Sequence, residues 1–370
     1  KYTGTYGTNG FYLPLKPTTQ ATGFNTVLYT GNGTSQSITG VGFEPDLVWI
    51  KHRTNVYDHE LYDTVRGADK LLHSNLTNAE SSPGNRLVAF TGSGFTLGSF
   101  PGVNGSGISY AAWCWDAGSG SPVSNTDGTI TSTVKANPAT GFSVATYTGN
   151  GGTATFGHGL GVEPKMVIIK NRSQADGWYV WHTDNVAGVF GYLFLNSTDV
   201  TRSSTPQFGS TLPSSSLISL TRNTYDWANA SGENYVAYSF ADVAGYQKMG
   251  SYTGNGSTTG PVVDVGFEPA FVLIKRTDSA RSWVIFDNTR NPVNERILSL
   301  EANVADVEYT NDNAIDFVSN GFQPKSSGPS WNSSGGNYIY LAIADTRDAK
   351  FNFDASGNKN NWTPNNINSN

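Results

Sequence analysis

Residues 29–33 read Tyr-Thr-Gly-Asn-Gly, residues 42–45 read Gly-Phe-Glu-Pro, and residues 47–51 read Leu-Val-Trp-Ile-Lys. Close copies of all three segments begin at Tyr147 and again at Tyr252. The copies start more than 100 residues apart, whereas solenoid repeats have periods of roughly 20–50 residues. We therefore predict that each copy is a small domain rather than one turn of a solenoid.

The three copies divide the 370 residues into three repeats, two flanks and a linker. The predicted boundaries are an N-terminal flank at 1–22, repeat 1 at 23–119, a linker at 120–140, repeat 2 at 141–245, repeat 3 at 246–346 and an Asn-rich C-terminal flank at 347–370. The linker is rich in turn-forming residues, and we expect it to carry a short strand near residues 129–134. The chain starts at Lys1 rather than Met, which we interpret as a processed or partial chain.

The composition predicts β structure. The chain has 42 glycines and 12% aromatic residues, only 14% of its residues are charged, and no segment shows a sustained helical period. Aromatic and β-branched residues suit a pleated sheet, and Gly-Asn pairs suit turns. The predicted fold is all-β, with three tandem antiparallel β-sandwich (jelly-roll-like) repeats and short strand-like flanks.

Two segments of each repeat predict particular strands. The apolar run 47–51 is typical of a central strand buried on both faces, and Asn32-Gly33 is the residue pair that type I′ hairpin turns favour. Near the end of repeat 1, Trp113 and Trp115 flank Cys114. Because side chains alternate along a strand, we expect the two indoles on one face and the thiol, as a small buried filler, on the other.

Charge and motifs exclude several classes of function. A net charge of −6 and the lack of a basic stripe argue against nucleic acid and anionic membranes as partners, and no apolar run is long enough to span a membrane. One cysteine excludes an intrachain disulfide, and the five histidines lack zinc-ligand spacing. No nucleophile elbow or phosphate-binding loop is present. We expect no cofactor, no metal centre and no catalytic residues.

Aromatic residues recur beside Asp, Asn and Arg just after the central strand of each repeat, an arrangement typical of sugar-binding surfaces. The glycan-binding candidates are Tyr62, Asp63, Arg66, Trp178, Trp181, His182, Asp184, Asn185, Trp283, Asp287 and Arg290. The competing interpretation, which we favour, places each aromatic side chain in the core and uses the Asp to cap a turn.

The repeat text resembles a family of structural proteins of marine and cyanobacterial bacteriophages. The resemblance rests on the segments quoted first, on Gly94-Phe95-Thr96-Leu97-Gly98, on the closing strand 110–115, and on segments of both flanks. It implies concanavalin-like sandwich modules in a non-enzymatic tail fibre, spike or capsid-decorating fibre on the virion surface, outside the cell. The family supplies no catalytic motif to carry over.

The same resemblance implies other virion proteins as partners, together with host-surface polysaccharide. A homo-oligomer is expected, and a trimer would suit a fibre, although three repeats in one chain could also substitute for a symmetric oligomer. Two alternatives stay open: a purely structural protein that cements or bridges virion subunits, and a polysaccharide depolymerase. Asp58, Glu60 and Asp63 crowd together as a depolymerase would require, but repeats 2 and 3 lack this trio.

Overall fold

The computed structural model describes residues 21–185, 191–203, 208–209, 211–221 and 228–347, except for the side chains of 311–313. Within these residues nearly every regular element is a strand and all strand pairing is antiparallel, apart from one isolated bridge. The predicted all-β sandwich fold is therefore confirmed. The strand-like flanks expected at 1–22 and 347–370 lie almost wholly outside the described residues.

Repeat 1 builds a main sheet and a smaller second sheet. Its elements are β1 (Phe24–Thr30), β2 (Gln36–Ile38), β3 (Leu47–His52), β4 (Glu60–Asp63), β5 (Leu87–Thr91), β6 (Gly94–Leu97), α1 (Pro101–Asn104) and β7 (Ser109–Trp115). Strands β1, β7, β3 and β4 form the main sheet in this order, while β2, β6 and β5 form the second.

Repeat 2 has the same main sheet and extends it at both edges. Its strands are β8 (Val123–Asn125), β9 (Ser132–Asn137), β10 (Phe142–Thr148), β11 (Ala154–Gly157), β12 (Met166–Asn171), β13 (Trp178–His182), β14 (Leu193–Phe194), β15 (Leu217–Leu220) and β16 (Asn234–Phe240). The order β10-β16-β12-β13 matches repeat 1. The predicted linker joins this sheet as β8 and β9, and β9 pairs along β10.

Repeat 3 joins its two sheets into one continuous sheet. Its strands are β17 (Gln247–Thr253), β18 (Val263–Asp264), β19 (Pro269–Arg276), β20 (Trp283–Asp287), β21 (Arg296–Glu301), β22 (Tyr309–Val318), β23 (Gly321–Pro324) and β24 (Asn337–Ala344). The order β17-β24-β19-β20 again matches, and β21, β22, β23 and β18 continue the sheet round the sandwich. All three repeats thus present equivalent main sheets.

The prediction of a hairpin at Asn32-Gly33 is wrong. Strand β1 pairs with β7, whereas β2 pairs with β6 in the other sheet, so this turn carries the chain from one sheet to the other. Asn104, which is buried, holds the crossing: its Oδ1 accepts from the backbone N–H of Asn32 (2.9 Å), and its Nδ2 donates to Gly98 O (2.7 Å). Asn229 and Asn332 make the equivalent bond to Asn150 and Asn255 in the other repeats.

The central strands are buried on both faces, as predicted, because each main sheet packs against two cores. One face covers the repeat's own second sheet, and the other contributes to a core shared by all three repeats. Aromatic residues of the shared core are Phe24, Trp49, Trp113, Trp115, Phe142, Trp178, Tyr238, Phe240, Phe271 and Trp283. At its centre an apolar cavity of about 20 Å³, lined by all three repeats, is too small for an organic ligand.

The closing strand β7 follows the predicted alternation. Trp113 and Trp115 enter the shared core, whereas Cys114 lies in the sandwich core of repeat 1. Burial raises the pKa of the Cys114 thiol, and this fully buried side chain is a core filler.

Candidate functional site at the seams between repeats

The glycan-binding candidates lie in the interior. Ten of the eleven are buried, and Asp184 is exposed. Buried side chains cannot stack on a polysaccharide, so the structure does not assemble these residues into a glycan-binding surface. The favoured interpretation, in which the aromatic residue enters the core and the Asp caps a turn, is confirmed for Asp63, whose Oδ1 accepts from the backbone N–H of Arg66 (2.8 Å).

Most of these residues lie where one repeat contacts the next. We call the contact between repeats 1 and 2 seam 1–2, and name seams 2–3 and 3–1 likewise. In each seam a segment that follows the fourth main-sheet strand of one repeat lies against the next repeat, and we call it the docking segment. The docking segments are 73–80 of repeat 1, 194–201 of repeat 2 and 301–308 of repeat 3.

The same two backbone hydrogen bonds fix each docking segment. In seam 1–2, Glu80 N donates to Arg172 O (2.9 Å) and Asp176 N donates to Thr77 O (2.8 Å). In seam 2–3, Thr201 N donates to Thr277 O (3.0 Å) and Arg281 N donates to Thr198 O (3.0 Å). In seam 3–1, Glu308 N donates to Arg53 O (2.8 Å) and Tyr57 N donates to Ala305 O (3.1 Å). Each repeat docks onto the next, and repeat 3 docks onto repeat 1. The contacts therefore close a ring.

Seam 1–2 contains a buried charged network. The guanidinium of Arg66 pairs with Asp63 and with Glu80 (3.1 Å), and Glu80 also binds Arg172 (2.8 Å). The hydroxyl of Tyr238, from repeat 2, donates to Asp63 Oδ2 (2.7 Å). Burial has the largest single effect and opposes the charge of Arg66, but Asp63, Tyr238 and Glu80 together outweigh it and hold the Arg66 pKa above its usual range.

Seam 3–1 repeats this network with residues of its own. Arg290 pairs with Asp287 (2.5 Å) and Glu308 (3.0 Å), and Glu308 also binds Arg53 of repeat 1 (2.6 Å). The indole N–H of Trp113 donates to Asp287 Oδ2 (3.0 Å). Burial opposes ionisation of Asp287, yet Arg290 and these hydrogen bonds hold its pKa below the usual range.

Seam 2–3 has neutral residues at the equivalent positions. His182 occupies the place of the aspartates and bonds through Nε2 to Tyr340 O (3.1 Å). Asn185 occupies the place of the arginines, and its Oδ1 accepts from the hydroxyl of Thr201 (2.6 Å). Asn185 Nδ2 is buried and has no hydrogen-bond partner among the described residues. This seam is held without ion pairs between the described side chains at these positions.

A second position in each seam carries an aromatic donor. The indole N–H of Trp178 donates to His73 O (2.8 Å) and Leu76 O (3.2 Å), and that of Trp283 donates to Phe194 O (2.9 Å). His59 occupies this position in seam 3–1, because it precedes Asp63 as Trp178 precedes His182. Two of the predicted tryptophans are therefore seam residues.

One buried lysine per repeat is the second-to-last residue of the central strand. Lys170 Nζ donates to Thr77 O (3.1 Å) and Lys275 Nζ to Thr198 O (3.0 Å), both on docking segments. Burial lowers the pKa of Lys51 and of Lys170 to about 8, and that of Lys275 to about 7.

The carboxylate trio of repeat 1 is not brought to one site. Glu60 lies within the sandwich of repeat 1, where it pairs with Arg86 and accepts from the hydroxyl of Tyr62 (2.5 Å). Burial raises the Glu60 pKa to about 7, against the effect of Arg86. Asp63 belongs to seam 1–2, and Asp58 accepts from Asn75 Nδ2 (2.6 Å).

Two of the glycan-binding candidates lie outside the seams: Tyr62 and Trp181 each belong to the sandwich core of their own repeat.

Sequence reasoning missed His59 and the residues of the docking segments. Glu308 lies in a charged stretch that repeat 3 alone contains, and this departure from the repeat pattern was the available signal. Glu80 and Thr201 gave none, because their distance along the chain from the central strand differs between repeats.

The described residues include no group of three or more His, Cys, Asp or Glu side chains placed to hold a metal ion. Within the same part of the chain, no helix has the length and apolar character needed to cross a bilayer.

Fold and seams together define a class: an all-β protein whose three repeats close into a ring around a shared core. The chain belongs to the family described as a domain of unknown function, DUF7483, whose model matches residues 19–347. This match spans all three repeats and the linker. Neither a curated protein nor a solved structure matches the chain.

Proposed function

We propose that this chain is a non-enzymatic structural protein of a bacteriophage virion surface: a tail fibre, spike or capsid-decorating fibre. The closed ring carries the proposal. A symmetric homotrimer packs three equivalent units around one axis, and this chain does so with three repeats of one polypeptide. In this proposal the repeats substitute for the expected homo-oligomer, and the partners are other virion proteins.

The use of the buried polar residues supports a structural role. Asp63, Arg66, Asp287 and Arg290 bind each other and the neighbouring repeat, so these charges hold repeats together instead of facing a substrate. The two ends of the ring also lie side by side, because Thr22 N donates to Thr346 Oγ1 (2.9 Å).

Purified particles test this proposal. We expect mass spectrometry to find the chain in virions, immunogold labelling to place it at their surface, and light scattering to give a monomer near 39.6 kDa for the isolated chain. Release of reducing sugar from host polysaccharide would contradict the non-enzymatic role. Recovery of the chain only from lysate, never from particles, would contradict the virion role.

Attachment to host polysaccharide is a second candidate function, on a surface that the sequence did not suggest. Val56 and Tyr57 are 65% and 38% exposed in the loop between β3 and β4. The Tyr57 ring stacks on His52 (centroids 5.1 Å apart, planes at 5°), and the Tyr57 backbone N–H binds Ala305 O, so the ring is held in place. A fixed, exposed aromatic ring suits the C–H face of a sugar.

A glycan array tests this second function. We expect Tyr57→Ala to abolish binding to host polysaccharide, while Asp184→Ala, at the one exposed residue of the predicted set, leaves it unchanged. Equal binding by wild type and Tyr57→Ala would exclude this surface.

A further inference from the structure

His59 lies in seam 3–1 between two hydrogen bonds of opposite direction. The indole N–H of Trp49 donates to His59 Nδ1 (2.8 Å), and His59 Nε2 bonds to Glu301 O of repeat 3 (3.0 Å). An indole N–H can only donate and a carbonyl oxygen can only accept. The buried ring is therefore neutral, with its proton on Nε2.

His182 in seam 2–3 has the same arrangement. The backbone N–H of Asp184 donates to His182 Nδ1 (3.1 Å), and Nε2 donates to Tyr340 O of repeat 3 (3.1 Å). Both histidines thus use Nε2–H to hold a backbone carbonyl of repeat 3. A proton added to either ring would go to Nδ1, where it would face another donor and lose a hydrogen bond.

Seam 1–2 lacks this device. Among the described residues, the ion pairs of this seam are made by Asp63, Arg66, Glu80 and Arg172, and no histidine ring bonds across it. Burial opposes ionisation of Glu80, but its partners Arg172 and Arg66 hold its pKa below the usual range, so Glu80 stays charged in mild acid. Burial lowers the pKa of His73 as well. Its ring bonds through Nδ1 to His59 O (2.7 Å), and this bond, which a protonated ring keeps, lies within repeat 1 and does not cross the seam.

The groups around His59 also oppose a positive charge. Burial has the largest effect, and Lys51 on β3 and His73 add to it, so the His59 pKa lies well below its usual range. On the strand of repeat 3 that contacts the ring, burial raises the pKa of the Glu301 carboxyl, which bonds to Ser282. That carboxyl is therefore poorly placed to offset a charge on His59.

His182 has acidic neighbours, but burial prevails. Asp184 on the following turn and Asp242 after β16 both favour its protonation, as does the bond to Tyr340 O. Burial outweighs them and lowers the pKa of His182 to about 4.

We propose that repeat 3 is an acid-releasable unit of the ring, which separates from repeats 1 and 2 in mild acid while those two stay joined. Both of its seams depend on a neutral histidine, and seam 1–2 does not. When a seam opens, its histidine meets water and regains an ordinary pKa near 6.5. Opening becomes easier as the pH falls below that value, and the effect is complete once the pH is below the pKa in the closed ring.

Amide hydrogen exchange, corrected for the intrinsic effect of pH on the exchange rate, measures the opening of each seam separately. For seam 2–3, the shift of His182 from 6.5 to about 4 makes opening roughly 70-fold easier at pH 4.5 than at pH 7.5. We expect the amides of Thr201 and Arg281 to lose protection by about this factor, and those of Tyr57 and Glu308 to lose protection as well. The amides of Glu80 and Asp176 in seam 1–2 should keep theirs.

Substitution of the two histidines tests whether they cause the acid response. His59→Gln with His182→Gln keeps a neutral donor near each carbonyl, and we expect it to abolish the acid response of both seams. The matched control is His158→Gln: His158 is buried, bonds through Nε2 to Ser214 O (3.1 Å) and accepts at Nδ1 from Leu160 N, all within repeat 2. This control should retain the response.

The wild-type exchange pattern decides the proposal even if the double variant does not fold. Equal loss of protection in all three seams would mean general acid unfolding and would overturn it, as would full protection of every seam at pH 4.5. An unchanged acid response in a folded double variant would also overturn it.

Discussion

Seams 1–2 and 2–3 join neighbouring repeats through the same backbone contacts but with different side-chain chemistry. In seam 1–2 the buried Asp63 and Arg66 form a charged network with the half-buried Glu80, whereas His182, Asn185 and Thr201 are neutral at the equivalent positions. The shared backbone contacts determine where two repeats meet. The side chains determine which two repeats can meet, because a charged partner facing a neutral one would be buried without compensation.

This difference gives the ring a fixed order. Docking the segment of repeat 2 onto repeat 3 uses no ion pair at the compared positions of the described chain, but docking it onto repeat 2 of another chain would leave Arg172 without Glu80. Specific association commonly combines good contacts with penalties against wrong partners. The variable segment after the central strand therefore determines which repeat each repeat contacts, and so fixes the order of three similar repeats.

The largest effect is expected from removing the arginine of the charged seam. Arg66→Leu leaves the buried Asp63 carboxylate without its cation, and we expect the free energy of unfolding to fall by about 3–5 kcal/mol. Asn185→Leu in the neutral seam removes one hydrogen bond and should cost about 1 kcal/mol. Guanidinium unfolding of both variants measures the difference. Equal costs would show that the two seams do not differ in the way proposed.

The seam lysines should produce an alkaline effect of intermediate size. The pKa of Lys275 in the folded chain, about 7, lies below the unfolded value of 10.5, so the unfolded chain binds more protons between these values. Stability therefore rises with pH in this window, by about 2 kcal/mol for Lys275 between pH 7 and 9. For Lys170, with a pKa of about 8, the rise is about 1 kcal/mol.

Substitution by methionine removes each contribution. We expect the gain in unfolding free energy from pH 7 to pH 9 to shrink more in Lys275→Met than in Lys170→Met. The order follows from the two pKa values: burial lowers the pKa of Lys275 to about 7 and that of Lys170 to about 8, although one carboxylate opposes the shift in each case. The same gain in both variants as in wild type would mean that these lysines are solvated.

The tryptophan donors should give a smaller difference. Trp178→Phe removes one indole N–H that His73 O and Leu76 O share, and because His73 O keeps the backbone N–H of Leu76 (3.3 Å), the loss at Leu76 O should cost about 1 kcal/mol. Trp283→Phe removes the indole donor of Phe194 O, which keeps the backbone N–H of Ser197 (3.3 Å), and should cost about 0.5 kcal/mol. Both variants lose the same indole volume, so thermal unfolding isolates the hydrogen bonds. A larger cost for Trp283→Phe would contradict the assignment.

The sequence predicted the fold of each repeat well because that information is local and written three times. Strand periodicity placed β3 and β7 correctly, including the opposite faces of Trp113 and Cys114. The turn at Asn32 was misread because a residue pair reports its own backbone preference and not the sheet that the next strand joins. That choice depends on Asn104, which lies about 70 residues later.

The sequence predicted a glycan-binding surface and not the seams between repeats. Alignment of the repeats singled out Asp63, His182 and Asp287, which do share one role, yet their partners belong to other repeats and have no fixed spacing in the chain. One signal was available. A main sheet apolar on both faces needs two covering layers, and a single sandwich supplies one, so a shared core could have been inferred from the strand 47–51.

The last prediction transplants the charged network into the neutral seam. His182→Asp, Asn185→Arg, Thr201→Glu and Leu341→Tyr together supply the equivalents of Asp63, Arg66, Glu80 and Tyr238. Because desolvation offsets most of the attraction in a buried ion network, we expect the unfolding free energy at pH 7 to change by less than about 1 kcal/mol. His182→Asp alone buries an unpaired carboxylate and should cost about 3–5 kcal/mol. If the fourfold variant loses as much unfolding free energy as the single one, the charged network of seam 1–2 requires more than these four positions. Pairing of the repeats would then depend partly on differences in the backbone.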